Sequence, residues 1–262
     1  MWLILFLALL FGCSKEPSHF QGVAHGHPYR IQIGGSPNKT HVQALLEEIF
    51  EEVDTLYNHW NPDSLLSKNP DSPELQPILS LAHSFCTLTN GWYDPTLRGP
   101  IQTFKTQTAH SPGYDLDGML KGYVIDQIVE QLLSLGYTNL YVEWGGDLRV
   151  HGKHPSGRPW QILLNDEVVP LENGAIATSG CAEQTWDIDG TTYTHIINPF
   201  TQEMVGVGIY SVTVRAPTCA LADALATACM ASGSETFADA MKEKLPVDFW
   251  IVYTEKSSKT GN

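Results

Sequence analysis

The stretch DLDGMLKGYVID, residues 115–126, decides how the chain is read. It opens on acids and a glycine, holds Lys121-Gly122 in its middle and runs on into apolar positions. Leu120, Val124, Ile128, Leu132 and Leu135 repeat at helical spacing, so a helix is expected over about 119–135, with Gly136 ending it. The chain has only 15 Lys and Arg. One of them placed between an acidic turn and an apolar helix face raises the question of which negative group it meets.

Downstream, NLYVEW, DLRVHG and WQILLN read as strands, the first two joined at Gly145-Gly146. GAIATSG, TTYTHIINP, YSVTVRA and the final DFWIVYT are strands as well. TCALADALATACMAS is an Ala-rich helix with Thr218 as candidate N-cap after Pro217. Upstream, YRIQIGG is a strand, and residues 41–58 carry Val42, Leu45, Leu46, Ile49, Val53 and Leu56 as a helical stripe. NPDSLLSKNPDSP is a loop, residues 75–90 form a helix closed by Asn90-Gly91, and WYDPTLRGP is irregular. Helices and strands mix without strict alternation. The expected class is therefore α+β, one domain of mixed sheets and packed helices.

The formal charge of −14 argues against nucleic-acid binding. It leaves room for a phosphate ligand, which a bound cation or a few amides can hold locally. At 42% hydrophobic residues the chain can fill a sizeable core. The first residues, MWLILFLALLFGC, are apolar up to Cys13. A helix of that length spans about 18 Å, short of the roughly 30 Å hydrocarbon core, so residues 1–12 read as an export signal. No Lys or Arg precedes the run. Leu10-Phe11-Gly12-Cys13 resembles a bacterial lipobox, which makes Cys13 the lipidated residue and 13–19 a tether, with a cleaved signal peptide as the plainer alternative. The folded domain is expected over 20–256 and a tail over 257–262. Cys86, Cys181, Cys219 and Cys229 form no C-x-x-C pair and read as buried thiols.

Asp223 and Thr227 are four apart on the Ala-rich helix and share a face. A carboxylate and a hydroxyl there suit a hard cation. They equally suit helix-dipole compensation and a hydroxyl bonded to its own backbone. His195 is the candidate for proton abstraction, because imidazole titrates near neutrality. Gly145-Gly146-Asp147 is either a tight positive-φ turn or an open approach for a ligand. Ala177-Thr178-Ser179-Gly180 poses the same choice, with hydroxyls and amides that could hold phosphate. Trp60, Trp92 and Tyr93 in loops either plug the core or stack a flat ligand.

Taken in order, these segments resemble the ApbE family of FAD:protein FMN transferases. DLDGMLKGYVID, YVEWGGDLRVHG, AIATSG, YTHIINP and ADALATACMASG are each similar to family motifs, as are YNHWNPDSLLSKNP and WYDPTLRGP, and together they cover nearly all of 20–252. The resemblance implies a cleft between two halves of the domain, with FAD as substrate and Mg2+ beside its pyrophosphate. It implies metal ligation by the Asp223 and Thr227 side chains and the Gly118 and Ala226 carbonyls. It assigns FAD contacts to His25, Trp60, Trp92, Tyr93, Asp94, Asp115, Lys121 and Ile197, and general-base duty to His195. It further implies FMN transfer onto a Thr or Ser of exported acceptor proteins, such as subunits of Na+-pumping or Rnf-type redox complexes. FAD hydrolysis to FMN and AMP, or FAD binding without turnover, are the alternatives. Location at the periplasmic side of the bacterial inner membrane, through a lipid anchor, agrees with Cys13. Departures from the family pattern are Glu143 for Asn, Cys181 for Asp, and loss of the Asp and Gly around Asn198 and Gln202.

Overall fold

The computed structural model describes residues 16–254, except 107, 109–110, 182–184, 189–190 and 207. The expected signal, Cys13 and the 257–262 tail lie outside the described residues. Of His195 the backbone alone is described.

The chain begins with a hairpin, β1 (Ser18–Ala24) and β2 (His27–Ile33). His25 and Gly26 turn it with φ of 49° and 79°, the double positive φ that a two-residue hairpin needs. Helix α1 (Lys39–Glu52) follows, capped by the Asn38 side chain, and ends in a π-helical turn, Val53–Tyr57. Next come α2 (Leu65–Lys68), α3 (Gln76–Leu88), α4 (Arg98–Thr106) and the long α5 (Asp117–Ser134). Strands β3 (Leu140–Trp144), β4 (Asp147–His151), β5 (Trp160–Leu164), β6 (Glu167–Leu171), β7 (Gly174–Gly180), β8 (Thr185–Ile188), β9 (Thr191–Ile197), β10 (Met204–Gly206) and β11 (Ile209–Ala216) lead to α6 (Cys219–Ser232). Helix α7 (Glu235–Lys244) and β12 (Asp248–Tyr253) close the described chain.

The main sheet has the order β1-β2-β3-β4-β7-β11-β12, and every pairing in it is antiparallel. Its residues alternate between two covered faces. Leu140, Val142 and Trp144 enter the large core with α5 and α6, whereas Tyr141, Leu148 and Val150 meet Trp160, Ile162 and Leu171 of the β5–β6 hairpin. Strand alternation thus sends Asp147 and Arg149 to the helical side. A separate small sheet, β10-β9-β8, lies with β9 along α6 and α4. The α+β class expected from the sequence holds.

The closest helix packing sits where α5 crosses α6. A Cβ on Gly122 would fall 2.4 Å from the Cys219 carbonyl oxygen, so only glycine fits. The start of α6 is capped from α5. Cys219 N and Ala220 N each donate to the Asp126 carboxylate at 2.9 Å, which Arg149 also grips at 2.9 Å. Thr218 occupies the N-cap position, yet its side chain makes no capping bond. Burial pushes the Asp126 pKa up, and the two amides and Arg149 pull against it.

Several local expectations need correction. The long helix starts at Asp117, two residues before the expected start, so Gly118 lies inside it rather than before it. The expected irregular stretch ends in α4, because Pro100 sits within its first turn, where a missing N–H costs nothing. Strand β1 takes in Ser18 and His19, which had been read as tether. The four later cysteines are free; three are buried and Cys86 is partly exposed.

Candidate active site

The site grows from the α5–α6 crossing. Gly118, one turn before Gly122, faces Thr227: a Cβ there would lie 2.9 Å from Thr227 Cγ2 and 3.1 Å from its Oγ1. The two segments singled out in the sequence therefore meet. Thr227 Oγ1 is 3.1 Å from Ser179 Oγ at the end of β7. One turn back on α6, Asp223 accepts a hydrogen bond from Gly122 N at 3.2 Å. In a regular helix that N–H serves the Gly118 carbonyl, so its pull toward Asp223 competes for the donor and leaves the Gly118 oxygen with spare accepting capacity.

Lys121 answers the question raised by its placement. Its Nζ lies 3.1 Å from Asp147 Oδ2, at the start of β4. Gly145 and Gly146, with φ of 60° and 92°, form the turn that brings Asp147 there. Asp147 Oδ1 accepts from Thr178 N at 2.9 Å, tying β4 to β7. Burial, then the nearby Asp147 charge, pushes the Asp223 pKa up to about 8; Lys121 and the Gly122 amide oppose the shift. Two buried carboxylates share this space, with a threonine hydroxyl and a serine hydroxyl beside them. That is an all-oxygen donor set suited to a hard divalent cation. Asp223, Thr227 and the Gly118 and Ala226 backbones would supply the protein ligands, with Ala226 fully buried on the same helix.

A second group borders the N-terminal turn of α5. Asp115 is buried; its N–H donates to Pro95 O at 2.7 Å and its Oδ1 accepts from Asp117 N at 2.9 Å. The buried His59 ring reaches Asp115 Oδ2 at 3.3 Å. The Trp60 ring lies tilted against His59 with ring centroids 4.7 Å apart and donates its indole N–H to Asp117 Oδ2 at 3.2 Å, while 41% of the residue stays exposed. An exposed indole held by a hydrogen bond is a ready platform for a flat ring.

Trp92 lies half-buried, edge-on to Phe200 at 4.8 Å. Tyr93 is buried in the core. Asp94 Oδ1 takes hydrogen bonds from Thr96 N and Oγ1 at 2.8 and 2.7 Å, shaping its own turn. Ile197 is buried and pairs with Met204 at the end of β9. His25 Nε2 contacts the Phe50 carbonyl at 2.8 Å, and the ring lies against Trp144. The side chain of His195 lies outside the described residues, but its strand runs beside α6.

Asp126, Gly122 and His59 escaped the sequence reading. Gly118 and Gly122 are four apart, the spacing that puts two glycines on one helix face, and that signal was available. Asp126 closes the quoted motif and caps a helix 93 residues later, which no local pattern reveals.

Comparison with known proteins places the chain. The sequence profile described as "ApbE family" matches residues 106–251. The FAD:protein FMN transferase of Chlamydia muridarum is 33% identical, covering 86% of this chain and 88% of its own. That of Vibrio cholerae is 29% identical over 98% of this chain and 95% of its own. The crystal structure of apo flavinyl transferase ApbE from Pseudomonas stutzeri superposes with a TM-score of 0.81 over 92% of each chain at 20% identity, a likeness of fold. The Vibrio cholerae flavin transferase ApbE superposes at 0.72, 26% identical over 90% of this chain and 97% of that one. On the profile match and the Chlamydia likeness together, the chain belongs to the ApbE family.

Proposed function

We propose that this chain is a magnesium-dependent FAD:protein FMN transferase. The observation that carries this is the meeting of α5 and α6, which gathers Asp223, Thr227, Ser179, Lys121 and Asp147 around one oxygen-lined space. The named relatives support FAD as the substrate.

In this reading a Thr or Ser hydroxyl of an acceptor protein attacks the phosphorus on the FMN side of the FAD pyrophosphate. The new O–P bond leaves FMN on the acceptor, the old P–O–P bridge breaks, and AMP departs. His195 takes the hydroxyl proton; the run of β9 beside α6 supports that role. Asp223 and Thr227 hold the cation together with the Gly118 and Ala226 carbonyls. When bound, Mg2+ offsets the charge that gathers on the phosphate oxygens. Lys121 adds a positive charge to the same space and is itself positioned by Asp147. Trp60 and Trp92 offer ring faces to the flavin and adenine ends. The lipobox-like Leu10–Cys13 supports anchoring by lipid at the periplasmic side of the inner membrane.

The test is incubation of the protein with FAD, Mg2+ and a flavin-acceptor fragment, such as a subunit of a Na+-pumping or Rnf-type redox complex. Fluorescent acceptor on a denaturing gel is expected. AMP and FMN with an unlabelled acceptor would mean hydrolysis instead, and intact FAD would mean binding alone. Asp223→Ala is expected to abolish Mg2+-dependent turnover, and undiminished turnover in it would remove the metal assignment.

A further inference from the structure

Beside the oxygen-lined space lies a second cluster of different chemistry. The His59 ring, 1% exposed, sits between two carboxylates: Nε2 is 3.3 Å from Asp115 Oδ2, and Nδ1 is 3.8 Å from Asp117 Oδ1. One ligand atom from each residue falls within 4.8 Å of the others. Two metal–ligand bonds of about 2.1 Å span at most about 4.2 Å, so an ion asks these atoms to close by only about half an ångström. The half-exposed Asp117 side chain can make that adjustment. Asp115 is already fixed through its backbone and its Oδ1. Trp60 holds Asp117 Oδ2, which leaves Oδ1 facing the ring.

The charge balance points the same way. Four aspartates, 115, 117, 147 and 223, gather around the start of α5, and Lys121 and the His59 ring meet them. Carboxylates outnumber cations there even with the imidazole protonated. A divalent ion at Asp223 and Thr227, together with Lys121, offsets three of the four negative charges, and one remains beside a neutral His59 ring.

An independent feature marks the spot. Tyr93 is 3% exposed, and its hydroxyl has no hydrogen-bond partner among the described residues. Two residues on, the Pro95 carbonyl accepts from Asp115 N at 2.7 Å, so Tyr93 lies on the segment beside the cluster; burial first, then the charges of Asp115, Asp223 and Asp117 in that order, push its pKa well up. A buried hydroxyl left unbonded costs about 1–3 kcal/mol, so such a group normally faces a ligand or water.

We propose that His59, Asp115 and Asp117 form a second divalent-cation site, selective for a zinc-class ion over magnesium, with the Tyr93 hydroxyl turned to a water of that ion. The imidazole donor sets the selectivity: hard Mg2+ prefers oxygen and water, whereas Zn2+ and Co2+ accept mixed nitrogen and oxygen. Three protein ligands leave a coordination position open, the pattern of a site that admits water or a substrate oxygen. The ion would also lock Asp117 and, through it, the Trp60 indole. The site uses residues distinct from the magnesium set, so either can fail alone.

Cobalt titration tests it without any turnover. The full chain, without an affinity tag and stripped of metal, is titrated with Co2+ in excess Mg2+, and the visible absorption of the bound ion is followed. About one Co2+ per chain is expected to bind despite the Mg2+. His59→Ala should weaken this binding at least tenfold, Asp117→Asn should weaken it less, and Asp223→Ala should leave it in place, with circular dichroism confirming that each variant is folded. Failure of wild type to hold Co2+ against Mg2+ overturns the proposal. So does binding that survives His59→Ala and vanishes with Asp223→Ala, because the ion would then be occupying the oxygen site.

Discussion

At the scale of single residues, Asp223 carries the tension on which the site turns. Its carboxyl is buried beside Asp147 and holds its proton up to about pH 8. A cation must displace that proton. The sign follows directly: below about pH 8 proton and metal compete, and above it the carboxylate is already free to ligate. The apparent Mg2+ affinity should therefore rise from pH 6 to pH 8.5, by up to about tenfold per pH unit for one displaced proton. Isothermal titration in buffers of different ionisation enthalpy would also detect the released proton. Asp223→Asn should abolish both the affinity and its pH slope; a slope that persists in this variant would assign it to another group. Gly118 gives a second test. A methyl there would press on Thr227 at 2.9 Å. The contact is with a side chain that can turn away, so Gly118→Ala should fold normally and raise the Mg2+ concentration needed for half-maximal turnover. Both residues were visible in the sequence. The helical spacing of Asp223 and Thr227 suggested a shared cation and could not separate it from ordinary helix roles. The contact with Gly118 supports the cation reading, and no one-dimensional pattern contains that contact.

At the scale of elements, the α5–α6 pair is built as one unit. Gly122 lets the backbones touch, and Asp126 caps α6 from α5. Gly122→Ala would drive a methyl into the Cys219 carbonyl at 2.4 Å, a backbone atom that cannot rotate away. The helices would have to separate, at about 1–3 kcal/mol, and Asp223 would lose its Gly122 bond. Asp126→Ala removes two charge-assisted caps and leaves Arg149 with Glu130 as its remaining carboxylate partner, again about 1–3 kcal/mol. Urea unfolding midpoints would measure both. An Asp126→Ala variant as stable as wild type would show that the cap is replaceable by water. Elements with a strong period, such as α1, α5 and α6, were legible in the sequence. Strands β1, β6, β8 and β10 were missed, because their partners rather than their own residues make them strands. Helix α7 was also missed; it buries only Phe237, Ala238 and Met241, too narrow a stripe to stand out. Helix α4 hid behind Gly99 and Pro100, which read as breakers when the helix start was unknown.

At the scale of the whole molecule, the antiparallel sheet separates two jobs. One face supports α5, α6 and the acidic space between them, and the other is closed by the β5–β6 hairpin over Tyr141, Leu148 and Val150. The small β8-β9-β10 sheet that carries His195 stands apart from this frame and runs beside α6 and α4. At the β9–β10 turn, Asn198 Oδ1 accepts from Phe200 N and Thr201 N at 2.9 and 3.2 Å, and Gln202 adopts a φ of 58°. This geometry holds out Phe200, 62% exposed, so that its ring rests on Gly91 and meets Trp92 edge-on. The sequence showed that this loop departs from the family's pattern; the structure shows an aromatic contact in the loop that bridges the small sheet to the segment around Trp92. Such a pair contributes about 0.5–1.5 kcal/mol beyond its buried area, too little to govern global folding and enough to bias how the turn sits. Phe200→Ala should leave the unfolding midpoint nearly unchanged. It should speed hydrogen exchange across 198–203 roughly two- to tenfold, the factor that this energy implies, and slow FMN transfer to a protein acceptor more than it weakens FAD binding. Phe200→Tyr, which keeps the ring, should restore both. Unchanged exchange in the alanine variant would mean that the turn holds itself through Asn198 alone, and the bridge to Trp92 would then have no part in positioning the small sheet.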